Sequence, residues 1–300
     1  MQRIKLDVFK SFFEKDLTGK EIDFLIVLSF YQDIHGTVQG VHYREMMEEA
    51  GMSAQSFYDC KASLVQKGVI RSVGVYCDYD ITLIGNDFSL YTEEDYRSGN
   101  VKYLSTACRL FRDRNFRRLK PKQKLLVMDL YNIQSAGMPN GANTYRIRRE
   151  NFLKKYADTE HADGTKKKGL LGVTVRTLQK YLKMLRLYFS IALKDGMYYI
   201  TMRRQFMKRE LSRKTEKETV MEHLLKAACR RHQINEPDRA EWDGILKAME
   251  NREKDIRSVD VSSLVGQMVA VINESVLNPK KWKRRLKTSL FVKLLNEATA

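Results

Sequence analysis

Ser53-Ala54-Gln55-Ser56-Phe57-Tyr58-Asp59-Cys60-Lys61-Ala62-Ser63-Leu64-Val65-Gln66-Lys67-Gly68-Val69-Ile70 is the stretch that decides the fold. Ser53 is an N-cap residue. Phe57, Cys60, Leu64 and Val65 recur at helical spacing and predict one packed face. Gly68 stops the helix, and Val69 to Val75 then reads as a strand that turns back into a second, Asp80 to Ile84. Upstream, Thr18 and Glu21 form the two ends of a capping box. The apolar run Ile22, Phe24, Leu25, Ile26 and Leu28 carries that helix to about Tyr31. Gly36 to Gly40 reads as a loop, and Tyr43 to Ala50 as a short helix ended by Gly51. The order is helix, helix, helix, hairpin.

Residues 119–202 repeat that order. Pro121 suits a first helical turn, with Leu126, Val127, Leu130 and Ile133 on the apolar face. Arg148 to Tyr156 forms the second helix around Phe152, Leu153 and Tyr156. Thr174 caps a third that runs through Leu187 and packs through Leu178, Tyr181, Leu182 and Leu185. Phe189 to Leu193 and Met197 to Met202 flank Lys194-Asp195-Gly196, a strong hairpin signal. The second copy differs in one place: Asp158 to Gly172 lengthens the turn before the third helix.

Both copies, residues 18–90 and 119–202, resemble winged-helix domains, a helix-turn-helix followed by a β-hairpin wing. Residues 53–70 resemble the family's recognition helix running into its first wing strand. The expected fold is therefore mainly α: two winged-helix (helix-turn-helix plus β-hairpin) domains and a C-terminal helical domain. The expected domains are 1–98, 99–214 (basic linker and second winged helix) and 215–300.

Charge separates the two copies. The chain of 300 residues holds 54 Lys+Arg against 37 Asp+Glu, a formal net charge of +17. Residues 1–100 are net −6, residues 101–214 net +20 and residues 215–300 net +3. Charge confined to one segment marks where a polyanion is met. The resemblance implies that the third helix of each copy enters a DNA major groove. In the second copy, Arg176, Lys180, Lys183 and Arg186 share one broad face, interleaved with the leucines of another. Arg176 sits in the first turn, within reach of a base edge. Gln179 is a candidate base reader, and Lys180 and Lys183 suit phosphates. Lys166, Lys167 and Lys168 in the long turn, and Arg117 and Arg118 in the linker cluster Arg109 to Lys124, add candidate phosphate contacts. Phe111 and Phe116 within that cluster read as packing residues. In the first copy, Gln55, Ser56 and Lys61 are the candidates. Asp59 opposes phosphate there, so this helix reads equally as a protein-contact or dimerisation surface.

Residues 215–300 read as wholly helical: Glu218 to Arg231, Asn235 to Glu253, Asp260 to Val276, and a last helix capped by Asn278 with Pro279 in its first turn. Trp282, Leu286, Leu290 and Leu294 form its apolar stripe, among Lys280, Lys281, Lys283, Arg284, Arg285 and Lys287. That helix packs on its own bundle, adds phosphate contacts or docks on a partner. Ser275 to Leu290 resembles a C-terminal motif of replication proteins on mobile elements of low-GC Gram-positive bacteria.

Other chemistries find little support. Cys60, Cys77, Cys108 and Cys229 lack metal-binding pairs, and the five histidines have no metal spacing. Gly164 to Gly169 has phosphate-loop glycines, but Leu170 and Leu171 replace the required Lys and Ser/Thr. Asp78 and Asp80 lie in a wing turn, where acidic residues are ordinary. No cofactor, metal or enzymatic activity is expected. No signal peptide or membrane span is evident, so a cytoplasmic protein without a membrane partner is expected. Its expected partner is double-stranded DNA, with a homodimer or replication-machinery partner possible in addition. Tandem winged helices resemble plasmid replication initiators, which makes initiation the leading expectation. A transcriptional regulator, or an assembly or segregation adaptor acting through protein contacts, is the alternative.

Overall fold

The computed structural model describes residues 2–135, 144–160, 166–210, 213–231, 233, 235–251 and 286–299. Helices are in the majority and the strands form small sheets. The first part of the chain runs β1 (Arg3–Lys5), α1 (Leu6–Ser11), α2 (Gly19–Tyr31), β2 (Thr37–Val41), α3 (Tyr43–Ala50), α4 (Ala54–Gln66), β3 (Ile70–Val75), β4 (Asp78–Leu83), α5 (Glu93–Arg97) and β5 (Tyr103–Ser105). After a 3-10 turn at Arg109–Arg112 come α6 (Arg114–Arg117), α7 (Pro121–Ser135), β6 (Tyr145–Arg148), α8 (Arg149–Tyr156), β7 (Ala157–Glu160), β8 (Lys166–Lys167), β9 (Val173–Thr174), α9 (Val175–Leu185), β10 (Phe189–Lys194), β11 (Met197–Met202) and α10 (Arg204–Met207). Among the described residues, α11 (Arg213–Arg231), α12 (Arg239–Asn251) and α13 (Thr288–Thr299) follow. No helix among the described residues is long and apolar enough to cross a membrane.

Two compact units divide the chain, and neither is continuous in sequence. One comprises Met1–Phe30 and Ile84–Glu210; the other comprises Tyr31–Leu83 and Leu211–Ala300. In the first unit, α7 brings Leu126, Val127, Met128 and Leu130 to a core shared with Phe116, Phe152, Tyr156, Leu178, Leu185, Phe189 and Ile200, all fully buried. Phe111 and Phe116 pack edge to face at 5.6 Å and are buried, as their packing role requires. β6, β10 and β11 form an antiparallel sheet in the order β10-β11-β6. Asp195 and Gly196 turn β10 into β11 with φ of 49° and 72°, the positive values that the tight hairpin turn needs. The N-terminal strand β1 pairs with β5, and the Arg3 guanidinium lies 4.5 Å from the Tyr96 ring centre and 4.8 Å from that of Phe88. The Thr18–Glu21 capping box is present: each backbone N–H donates to the other's side chain.

In the second unit, β2, β4 and β3 form the corresponding sheet. α3 starts at His42 and ends at Gly51, whose φ is 61°. α4 starts at Ser53, whose hydroxyl accepts from the Ser56 N–H at 3.1 Å. Phe57, Cys60 and Leu64 of α4 are buried. Three expectations change here. Gly36 to Gly40 is not a loop: Thr37–Val41 pairs with β4, with a bulge between Val38 and Val41. Val65 does not join the packed face and is 45% exposed, because it lies about 100° around the helix from Leu64. The spacing of Val220, Leu224 and Ala228 predicts the packed face of α11, but its buried positions are His223, Leu225, Ala227, Ala228 and Cys229, with Val220 and Leu224 only partly covered. The sequence pattern Asp260 to Val276, and the caps Asn278 and Pro279, lie outside the described residues.

Candidate nucleic-acid interface

Helix α9 is built to present one charged face. Thr174 caps it, accepting from the Thr177 N–H at 3.3 Å. Leu178, Leu182 and Leu185 are buried beneath it, while Arg176, Lys180, Lys183 and Arg186 are all exposed. Gln179 is half-buried at the edge of that face. Among the described residues no carboxylate pairs with any of the four cations. Unpaired cations on a rigid, capped helix retain their full charge for an external anion.

The described residues of the long turn before α9 form a β-ribbon. β8 pairs antiparallel with β7, setting Thr159 opposite Lys167 and Glu160 opposite Lys166, and β7 pairs parallel with β9. The base of the ribbon is closed by the Gly169 N–H donating to Asp158 at 2.9 Å. Gly169 has no room for a side chain: a Cβ there would lie 2.3 Å from the Ala157 carbonyl oxygen. Lys122 of α7 donates to the Gly172 carbonyl at 3.0 Å and anchors the ribbon's exit. Lys166 and Lys167 are therefore held, exposed, on a tethered strand upstream of α9, and exposed Lys168 follows directly after it. Arg118 is exposed and Arg117 half-buried at the end of α6.

The other candidate helix, α4, is nearly silent electrostatically. Gln55 donates to Asp59 at 2.8 Å, so its amide is engaged within the helix. The Ser56 hydroxyl is 3.0 Å from that of Ser53. Lys61 is turned inward, with its ammonium 3.2 Å from the centre of the Tyr79 ring. Tyr58 and Val65 of the same helix are exposed. The three candidate side chains are thus present on α4 but hold local partners, unlike the α9 cations.

The β2-β4-β3 and β10-β11-β6 sheets share a register mark. Thr37 meets Thr82 through their hydroxyls at 2.9 Å, and Thr144 meets Thr201 in the same way at 2.8 Å. Aligned on these pairs, the outer sheet faces carry opposite charge. In the β2-β4-β3 sheet the outer face bears Asp78 and Asp80. Arg231 of α11 donates to both, at 2.9 and 2.5 Å. Arg230 donates to Glu45 at 2.6 Å and to the Gly40 carbonyl at 2.8 Å, and His223 meets the Gln39 carbonyl at 2.7 Å. Burial acts to raise the Glu45 carboxyl, but His223 and Arg230 overcome it and hold it below the usual carboxylate range. Burial acts against the charge of Arg231, and Asp78 and Asp80 overcome it. The acids of this sheet are therefore engaged by α11, and among the described residues no three His, Cys, Asp or Glu side chains are grouped to hold a metal ion.

At the equivalent positions the β10-β11-β6 sheet has Met197 for Asp78 and Tyr199 for Asp80. Arg146, Arg148 and Lys194 share that face and are exposed. Sequence reasoning overlooked these three. The signal for Arg146 and Arg148 is the alternation Tyr145-Arg146-Ile147-Arg148, in which every second residue is cationic, the period of a strand with one wet face.

The geometry offers two basic surfaces in one unit, a helix face and a sheet face, and a neutral helix in the other. Compared with protein-family models, curated proteins and solved structures, the chain matches none.

Proposed function

We propose that this chain is a tandem winged-helix protein that binds double-stranded DNA through α9 and serves as a replication initiator of a plasmid or mobile element. One observation carries the DNA reading: Arg176, Lys180, Lys183 and Arg186 are exposed on one face of α9 and have no carboxylate partner among the described residues. An α-helix fits the major groove, where arginine and lysine read guanine edges and neutralise phosphates. The ribbon lysines Lys166, Lys167 and Lys168 extend the same positive surface along a duplex backbone. The engaged side chains of α4 favour a supporting role for the first copy. Initiation is the reading that the tandem arrangement and the resemblance at 275–290 favour.

The triple variant R176A/K180A/K183A tests the DNA reading. The two lost phosphate contacts of Lys180 and Lys183 should flatten the slope of log K against log salt by about 1.8, with loss of the Arg176 charge adding to the effect. Affinity for a fragment carrying the chain's own binding site should fall sharply. An unchanged affinity and salt slope would refute the assignment of α9. Genome-wide footprinting with the purified protein supplies the site; direct repeats beside an AT-rich region support initiation, and an isolated operator refutes it.

A further inference from the structure

The outer face of the β10-β11-β6 sheet has cations on its two flanking strands and apolar side chains on the middle one. In register, Arg148 lies beside Met197 and Met197 beside Lys194; Arg146 lies beside Tyr199. Residues opposite one another in adjacent strands share a face. The face is therefore a shallow apolar stripe, Met197 and Tyr199, between positive rims. The Arg146 guanidinium lies 6.0 Å from the Tyr199 ring centre. Arg148 and Lys194 have no ion pair among the described residues.

The same unit carries the complement. Leu90 is 89% exposed, an unusual position for a leucine at the head of a helix. It is followed by α5, with Glu93, Glu94 and Asp95 in the first turn. Asp95 is occupied by its capping box with Thr92. Glu93 makes only a solvent-exposed pair with Arg97 at 3.3 Å, and Glu94 has no ion pair among the described residues. An apolar side chain followed by two available carboxylates matches an apolar stripe between cations. A bare phosphate backbone would match the cations but leave Met197 and Tyr199 wet.

The other sheet supplies a precedent within the chain. Its outer face is acidic and is covered by arginines of the helix α11. The β10-β11-β6 sheet has the opposite charge, and its cations are exposed. We infer that segment 90–94 of a second copy of this chain docks on the sheet face formed by Arg146, Arg148, Lys194, Met197 and Tyr199. The two surfaces differ, so the contact is heterologous and joins copies head to tail. Such a contact forms without DNA and does not depend on the role proposed for α9.

Charge exchange tests it. The variant R146E/R148E reverses the sheet face, and E93K/E94K reverses the segment; all four positions are exposed. Sedimentation velocity without DNA should show concentration-dependent association of the parent. Each variant alone should weaken it by at least about tenfold, the effect of about 1.4 kcal/mol. An equimolar mixture should restore it, because each variant then meets a complementary surface on the other. Circular dichroism verifies that both variants fold. R176A/K180A/K183A should associate as the parent does, which separates this contact from α9. A parent that stays monomeric at all concentrations, or a mixture that fails to recover, overturns the inference. So does an R146E/R148E variant that associates normally but loses DNA affinity and salt dependence, which would assign the face to nucleic acid.

Discussion

Replacing Lys124 by methionine should destabilise the protein by an amount that depends on pH. Lys124 is fully buried, and its ammonium lies 2.5 Å from Asp23 Oδ1 and 2.9 Å from the Gly19 carbonyl oxygen. Burial pushes the Asp23 carboxyl up and the Lys124 ammonium down from their ordinary values. Removing the lysine leaves Asp23 buried without its cation, and the least costly response is protonation. Holding a carboxyl of ordinary value 3.8 neutral at pH 7 costs about 4 kcal/mol, at about 1.4 kcal/mol per pH unit. In Lys124→Met the folded state then binds a proton that the unfolded state lacks at pH 7. Its stability therefore falls as pH rises above 3.8 and recovers on acidification. The penalty relative to the parent should shrink to about 1.6 kcal/mol at pH 5. Urea denaturation at pH 5, 6 and 7 measures it, and Asp23→Leu combined with Lys124→Met should restore most of the loss, as apolar replacements of buried pairs do. A penalty under about 1 kcal/mol at pH 7, or one that does not change with pH, would refute the reasoning.

Two further outcomes can be checked directly. Gly40→Ala should cost about 2–4 kcal/mol in denaturant unfolding, combining overpacking with a left-handed backbone: φ is 69° and the new Cβ would fall 2.1 Å from that of Ala227. Adding Ala227→Gly should recover the steric part alone. In native alkylation at pH 8 followed by peptide mapping, exposed Cys77 should react first and Cys60, Cys108 and Cys229 should be protected. Burial pushes the Cys108 thiol up to about 11 and that of Cys229 to about 12, so about one Cys108 in a thousand is thiolate at pH 8.

Where a helix had both a cap and a periodic apolar face, its position was legible. Thr18, Ser53 and Thr174 start helices where the sequence places them, and Leu178, Leu182 and Leu185 are buried as their spacing requires. What escaped had weaker local signals. Thr37–Val41 follows Gly36 and contains Gly40, and its bulge breaks the alternation that marks a strand. The cations Arg146 and Arg148 were hidden because the segment is four residues long, too short for period-2 patterning to stand out. Lys61 reads as a surface cation, and only the folded sheet brings Tyr79 beneath it. The alliance of Glu45, Asp78 and Asp80 with Arg230 and Arg231 depends on residues far apart in sequence, which no local pattern encodes.

That alliance has a consequence for the order of events during synthesis. Asp78 and Arg231 are 153 residues apart in the chain. At about 5–20 residues per second, a ribosome needs roughly 8–30 s to travel from one to the other. Through that interval the nascent chain holds the acidic strand but not the arginines that will neutralise it. The hairpin β3–β4 and the helices α3 and α4 emerge early, yet their unit is completed only by the arrival of α11. The intervening residues 84–210, which belong to the other unit, leave the ribosome in between. The early sheet must therefore wait for its covering helix, and a ribosome stalled before residue 231 would release a chain in which that sheet is still bare.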